Sequence, residues 1–411
     1  MKSDFLILGA DGMQGYIVAR DLLESEYRVT LSDIYKTRMK GLLGKFKKTS
    51  TFAYADLRDI DQVKTVIQKS GADVVINCAE GDLNLNVYHA CLQTQSHVVD
   101  LGSRFTMTKS QLSLDKNFKK IGKTAITGCG SVPGIGNIML AHAVQKFDSI
   151  KTINAGFAWD SNIKKFYPPF SIESVLAEFT SPAPILEDGK FKKKDPYRNS
   201  HVKYFKTIGS QKIFLVEHPE TFTFYHYYKA WGLKNIRFYA GFPEHSVRMI
   251  STLIELGFHK QNPVKMDGIN IFPDELLSQL LKKMTMPHGY KEWENIWVEI
   301  IGRSNHQEKK VLMECIVPYL KGWDESGCNI DTGFPASIIA QMIKYGDISK
   351  RGSYSPEGCV PTKLFFKQLR KKKLRVYQNG AVISYSSYSK VLKLPRVIHI
   401  YIFWEKHLAT L

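Results

Sequence analysis

Gly9, Gly12 and Gly15 in "ILGADGMQG" have the spacing G-x-x-G-x-x-G. The chemistry this suits is the holding of a dinucleotide pyrophosphate. Gly9 allows a tight exit from a strand, Gly12 lets the backbone approach the phosphates, and Gly15 lets the following helix pack closely on the sheet. The free N–H groups of Met13 and Gln14 at the helix start then face the anion. Asp11, in the middle of the loop, is an unexpected neighbour for a pyrophosphate. It is compatible with one only if its side chain turns away and accepts backbone N–H bonds within the turn. Asp33, followed by Ile34, ends the next apolar segment. A carboxylate there accepts the ribose hydroxyls of NAD and repels the 2′-phosphate of NADP. NAD is the expected cofactor, and Lys36 and Arg38 keep NADP as the alternative. Asp56 and Leu57 in "YADL" fall beside the adenine, although Asp56 equally suits a helix cap. Asn77, Cys78 and Ala79 in "INCAE" edge the nicotinamide half of the cleft.

The glycines need a strand before them and a helix after them, and the sequence supplies both. "DFLILG" reads as a short buried strand. "YIVARDLLES" carries Ile17, Ala19, Leu22 and Leu23 on one helical stripe. "YRVTLSD", "TFAYADL", "ADVVINCA", "SHVVDLG" and "KTAITGCG" continue the strands, with helical segments between them, among them one that Asp59 or Asp61 can cap. Strands that are apolar throughout belong to a parallel sheet covered on both faces. The expected fold class is therefore α/β, a Rossmann-type doubly wound parallel sheet over residues 1–131. After "GCGSVPGIG" the texture changes. "KTINAGFAW", "KIFLVE", "KNIRFYAGF", "NIWVEIIGR" and "VLMECIVPYL" are strands without regular helices between them. They predict a second, α+β domain over 132–330 with a largely antiparallel sheet. Residues 331–380 return to helix, with Ile338, Ile339, Met342 and Ile343 on one stripe. Residues 381–411 have no clear period and read as an irregular extension.

The chain has 411 residues, enough for two or three domains, and 44% of them are apolar. Its six cysteines are scattered without a C-x-x-C pair, which argues against zinc or a disulfide framework and fits a reducing cytoplasm. No metal site is expected. The start runs directly into a strand, leaving no room for a signal peptide, and no apolar run reaches the roughly 18 residues of a membrane span. Net charge is +18. Its basic residues are spread along the chain, with local runs at Lys190–Lys194 and Arg370–Arg375, so a solvated basic surface is favoured over nucleic-acid binding.

The segments "LGADGMQGYIVARDL", "HVVDLGSRF", "GCGSVPGIGNIMLAHAV", "PPFSIESVLAEFTSPAPILEDGK", "EHPETFTF", "KNIRFYAGF" and "SIIAQMIKYGDISKRGSYSPEG" follow one another in an order similar to that of the saccharopine dehydrogenase family, including its lysine 6-dehydrogenase branch. The resemblance implies an NAD(P)-dependent oxidoreductase acting on a C–N bond of lysine or a lysine adduct. It also implies a small amino-acid substrate, a homodimer, and a helix near 335–345 packed back on the first domain. The family is heterogeneous and includes carboxynorspermidine synthases. Asp11 and the "AGFPEH" stretch depart from the family pattern, and the latter invites an alternative, a non-catalytic dinucleotide-binding protein of the same fold.

Oxidising an amine by hydride transfer requires a neutral nitrogen, so a base must take a proton whose free pKa is about 10.4. Asp100, at a strand end, and His218 in "VEHPETF" are the candidate bases. Arg104, Pro133, Gly134, Glu220 and Arg237 are the candidate substrate contacts. Arg237 would clamp a carboxylate, and Pro133 and Gly134 would set a helix N-terminus beside the nicotinamide.

Overall fold

The computed structural model of the protein describes residues 2–196, 200–281 and 283–383. Most of the extension expected over 381–411 lies outside the described residues. The first sheet is built from β1 (Phe5–Leu8), β2 (Val29–Asp33), β3 (Ser50–Tyr54), β4 (Val74–Asn77), β5 (His97–Asp100) and β6 (Thr124–Ile126). All pair in parallel, in the order 3-2-1-4-5-6, so the order reverses between β1 and β4. A crevice at such a reversal, outside the carboxyl ends of the strands, is where ligands bind in this architecture.

Alternation along β1 explains why its strand is apolar throughout. Phe5 and Ile7 enter one core with Ile17, Val18 and Leu22 of helix Met13–Glu24. Leu6 and Leu8 enter the other with Val63 and Val66 of helix Ile60–Ser70 and with Val87 and Cys91 of helix Asn84–Thr94. Both faces are thus covered, as a parallel sheet requires. Asp59 caps the helix Ile60–Ser70 through the N–H groups of Asp61 and Gln62.

The second sheet has ten strands, β7 (Ser149–Ser161), β8 (Ala183–Glu187), β9 (Lys190–Lys194), β10 (His201–Phe205), β11 (Gly209–Leu215), β12 (Asn235–Gly241), β15 (Glu292–Ser304), β16 (Gln307–Val317), β18 (Arg375–Gln378) and β19 (Ala381–Val382). A separate hairpin, β13 (Val264–Met266) with β14 (Ile269–Ile271), stands apart from it, and β17 (Gly352–Tyr354) belongs to the first sheet. The long path runs β10-β11-β12-β7-β15-β16-β18-β19, with β8 joined to β12 and β9 to β8. Among the described residues only the β12–β7 pairing is parallel, so the sheet is mixed with a predominantly antiparallel pattern.

The chain after 330 serves both sheets. Helix Ile330–Lys344 lies on helix Met13–Glu24, and β17 pairs with β6 as a seventh parallel strand. β18 and β19, by contrast, extend the second sheet. The two helices meet closely at Gly333, where a Cβ would come within 2.4 Å of Ile17 Cγ2. Alongside, Ser337 Oγ donates to Asp21 Oδ2 at 2.7 Å, and Lys372 forms an ion pair with the same buried carboxylate.

A Gly333→Ala substitution should therefore destabilise the protein. Helix propensity alone favours alanine by about 1 kcal/mol. Forcing a methyl group into the Ile17 contact costs about 1–3 kcal/mol. The expected result is a lower urea midpoint with an unchanged slope, and a midpoint raised by the substitution would show that the two helices are not held at this distance.

Candidate functional site

Two structures meet at the carboxyl ends of the first sheet: a glycine loop and an acidic cavity. Gly9 adopts φ +72°, and a Cβ on it would lie 2.6 Å from the Ala79 nitrogen. A Cβ on Gly15 would lie 2.0 Å from the Gly9 carbonyl. Gly12, which precedes the helix Met13–Glu24, would meet only the Gly9 oxygen, at 3.2 Å. The first helical N–H groups have no partner within a helix, and no acidic residue occupies the first turn. Asp11 turns away from this anion-binding end. Its Oδ1 accepts the Met39 N–H at 2.9 Å, and its own N–H donates to Asp33 Oδ2 at 2.9 Å. The partner is therefore a residue beyond the next strand, not one within the turn. Asp33 Oδ1 accepts the Tyr35 N–H at 3.1 Å. These residues fit a dinucleotide pyrophosphate, held by backbone N–H groups with the loop carboxylate directed elsewhere. Ile34 beside Asp33 is exposed. On the far side of Gly9, Asn77 donates to Asn84 at 2.8 Å and accepts the Ala79 N–H, fixing the turn through Cys78.

The cavity, of about 180 Å³, is lined by Gln14, Ser131 and Val132 from the first-domain side and by Phe157, Trp159, Glu178, His218, Glu292 and Glu294 from the second. Asn329, Asp331 and Thr332 close it from the helix that returns to the first sheet. Gln14 belongs to both structures. It lies in the first turn after the glycines, and its Nε2 donates to Asn329 Oδ1 at 2.5 Å.

Among the described residues, four carboxyl groups and one imidazole thus share the cavity, and no Lys or Arg lines it. His218 stacks on Phe238, with ring centroids 4.0 Å apart and planes at 4°. Its Nδ1 is 3.0 Å from Glu220 Oε2, which leaves Nε2 on the cavity side. Burial pulls the imidazole down, but Glu220, helped by Glu178 and Glu217, outweighs it and holds the ring above its ordinary pKa. Burial pushes Glu178 up to about 8, and its Oε2 has no partner among the described residues. Burial likewise lifts Asp331 to about 7 and raises Glu294, which faces it. Glu292 accepts the Tyr290 hydroxyl at 2.8 Å and the Cys328 N–H at 2.9 Å.

Several expected contacts are corrected. Asp100 is fully enclosed and accepts from Tyr88 (2.7 Å), Gln111 (2.7 Å), Thr127 (3.1 Å) and the N–H groups of Gly102 (2.6 Å) and Gly128 (3.2 Å). A carboxylate with five donors holds the turns around it and has no lone pair facing the cavity, so it does not serve as a base. Arg237 pairs with Glu187 at 3.4 Å on the other side of its strand from the Phe238–His218 stack, and so does not clamp a substrate. Asp56, at the carboxyl end of β3, is gripped by Arg58, which holds its carboxyl down to about 2, and the Leu57 side chain is buried in the core. Arg104 is exposed ahead of helix Phe105–Ser113 and is not part of the cavity wall. Pro133 fits against Gly102 and Gly128, and the Gly134 N–H donates to Asn137, so this pair backs the Ser131–Val132 wall.

Glu178, Glu292, Glu294 and Asp331 were missing from the sequence reading. Glu292 and Glu294 have a usable signal. They occupy the same face of β15 as Ile296, Val298 and Ile300, which are buried. Two acids continuing an apolar face at period two are out of place on a purely structural strand.

Replacing Gly12 with Asp should abolish dinucleotide binding while the fold persists, read by nucleotide fluorescence titration; unchanged affinity would refute the role of the loop. A second expectation concerns pH. The Glu178 carboxyl keeps its proton to about 8 in the folded protein but loses it near 4.5 when unfolded. Stability present below about 4.5 is therefore lost as pH rises towards 8. The melting temperature should fall between pH 5.5 and 8.5, and fall less in Glu178→Gln. Equal slopes would mean that Glu178 is not enclosed.

The family model described as "Saccharopine dehydrogenase NADP binding domain" matches residues 5–126, and "Saccharopine dehydrogenase C-terminal domain" matches residues 130–374. The chain is 25% identical over 324 residues to carboxynorspermidine synthase of Vibrio alginolyticus, covering 74% of this chain and 77% of that one. It is 25% identical over 331 residues to carboxyaminopropylagmatine dehydrogenase of Synechocystis sp., covering 76% and 81%. Apo saccharopine dehydrogenase (L-Glu forming) of Saccharomyces cerevisiae shares the fold with a TM-score of 0.71 at 14% identity, over 92% of this chain and 99% of that one. With both of its domains matched in order, the chain belongs to the saccharopine dehydrogenase family and is an NAD(P)-dependent oxidoreductase acting on amino acids.

Proposed function

We propose that the protein interconverts an amine and an imine of a carboxylated, amine-rich substrate, resembling carboxynorspermidine more than saccharopine. The observation that carries this reading is the cavity wall, with four carboxyl groups, one histidine and, among the described residues, no Lys or Arg. A substrate with several carboxylates and few ammonium groups would meet repulsion there, whereas a cationic amine chain would be attracted. The names of the two relatives from Vibrio alginolyticus and Synechocystis sp. point the same way.

The bound nicotinamide would supply a hydride acceptor in one direction and a hydride donor in the other. The protein's part is to manage the proton. In oxidation, His218 Nε2 takes the proton from the substrate ammonium, so that the nitrogen lone pair can form C=N as the C–H hydride leaves. Glu220, at Nδ1, stabilises the imidazolium that results. In reduction, the same Nε2 returns the proton to the new amine. Phe157, Trp159 and Phe170 keep the apolar side of the cavity dry.

Asp33 supports NAD over NADP, because its carboxylate repels a 2′-phosphate; Lys36 and Arg38 on the exposed loop beyond it would serve NADP. The free cysteines among the described residues support a cytoplasmic setting. The exposed apolar side chains of Leu256, Val264, Met266 and Ile269 support a homodimer. Among the described residues, no helix is long and apolar enough to cross a membrane.

Two readouts test the reading. With NAD(P) at alkaline pH, kcat/KM for carboxynorspermidine should exceed that for saccharopine by at least about tenfold, the discrimination that about 1.4 kcal/mol supplies. The oxidation rate should rise from pH 7 to 10 as His218, held above its ordinary pKa, loses its proton. His218→Gln should lower turnover by about 10²–10⁴-fold and flatten that rise, with cofactor binding intact. A preference for saccharopine would remove the substrate assignment, and an unchanged pH profile in the variant would remove His218.

A further inference from the structure

Glu294 and Asp331 come from different parts of the fold. Glu294 lies near the start of β15 in the second sheet. Asp331 lies in the first turn of the helix that packs on the first sheet, and it is 2% exposed. Their side chains meet at the cavity wall, and Asp331 Oδ2 has no donor among the described residues. The groups facing this pair from the elements around it are Glu292 on β15, Cys315 on β16, Cys328 and Thr332 beside the helix start, and Ser131 on the turn after the first sheet. Glu178 and His218 lie further along the same cavity. No cation is among them.

Two enclosed carboxyl groups that face each other cannot both ionise without something positive between them. In the free protein a proton fills that role: burial raises both groups, the Asp331 charge raises Glu294 further, and a hydrogen bond between the two holds the shared proton. An ammonium or guanidinium group does so equally well, and supplies the donor that Asp331 Oδ2 lacks.

We propose that Glu294 and Asp331, with Glu292 beside them, form a subsite for a second, non-reacting cationic nitrogen of the substrate, and that a shared proton occupies the pair until this nitrogen displaces it. The inference rests on the amine reading of the cavity. It adds that the substrate is recognised at two nitrogens, one at His218 and one at the carboxyl pair, and that binding releases a proton.

The pair also sets a sign for the pH dependence. Below neutrality the shared proton competes with the cation; as pH rises past about 7 the proton is lost more readily and the cation binds more tightly. A spermidine probe keeps at least two ammonium groups over this range, because repulsion among its three nitrogens lowers mainly the last of them below the lysine value of about 10.4.

The experiment is calorimetric titration of the full-length protein with spermidine, in phosphate and in Tris at pH 6 and 8, for wild type, Glu294→Gln and Asp331→Asn. A glutamine amide can donate to Asp331 much as the protonated acid does, so the fold should persist, but it cannot supply the second negative charge. Nucleotide binding serves as the check on folding, and Asp331→Asn repeats the test if Glu294→Gln does not fold. Expected are a wild-type affinity that rises by about tenfold or more from pH 6 to 8, about one more proton released than in Glu294→Gln, and an affinity loss of at least about 30-fold in that variant. Butylamine, with one ammonium group, should compete against spermidine with an affinity changed less than about twofold. Spermidine affinity and proton release equal in wild type and both variants would overturn the subsite. Turnover reads the other proposal separately: if no amine is oxidised but Glu294→Gln still loses spermidine, the reaction fails and the subsite stands. If amines are oxidised and spermidine binds both proteins alike, the subsite fails alone.

Discussion

Carboxyl groups packed into one enclosed space repel each other strongly enough to reject charge, and this constraint governs the cavity between the two sheets. Glu178, Glu292, Glu294 and Asp331 are drawn into it from three separate elements of the chain. The protein moderates the repulsion unevenly. Glu292 is given a hydroxyl and a backbone N–H, Glu220 is given His218, and Asp331 and Glu178 each keep an oxygen without a donor. Such unsatisfied atoms are costly in a finished core. Here they face a space that a cationic ligand would complete.

The glycine loop solves the opposite electrostatic problem. An anion must approach the helix start, yet the loop carries Asp11. Its carboxylate is spent on the Met39 N–H, and Asp33 binds the Asp11 N–H in return. The two acids therefore staple the glycine turn to the loop after β2 and keep negative charge on its outer side. Asp100 does comparable work at the end of β5, where its five donors tie the Gly102 and Gly128 turns together. Acids at strand ends in this fold are mostly architectural, whereas the acids of the cavity come from the second sheet and the returning helix.

That division explains what was legible in the sequence. The first six strands could be read because both faces of a parallel sheet are buried and each strand is a compact apolar run, as in "ADVVINCA". The seventh, Gly352–Tyr354, is three residues with no apolar pattern, and only its pairing with β6 makes it a strand. His218 drew notice through its place between a strand and a proline. Asp100 and Arg237 drew notice for the same kind of reason, but their partners, Tyr88 on the preceding helix and Glu187 fifty residues away on another strand, are set by the fold. Asp331 resembles an ordinary acid in the first turn of a helix, whereas Glu292 and Glu294 continue the apolar face of Ile296, Val298 and Ile300, and the register of β15 between β7 and β16 fixes where that face lies.

The return of the chain to its first sheet also bears on synthesis. β6 lacks its outer neighbour, and helix Met13–Glu24 lacks its cover, until residues 330–354 have been made. At about 5–20 residues per second, the interval after β6 leaves the ribosome is roughly 10 to 50 s. Throughout it the nascent first domain carries an open parallel edge and an uncovered apolar helix face around Ile17. Chaperones that shield apolar surface would therefore find their target on residues 5–126, and release from them would await residues 330–354.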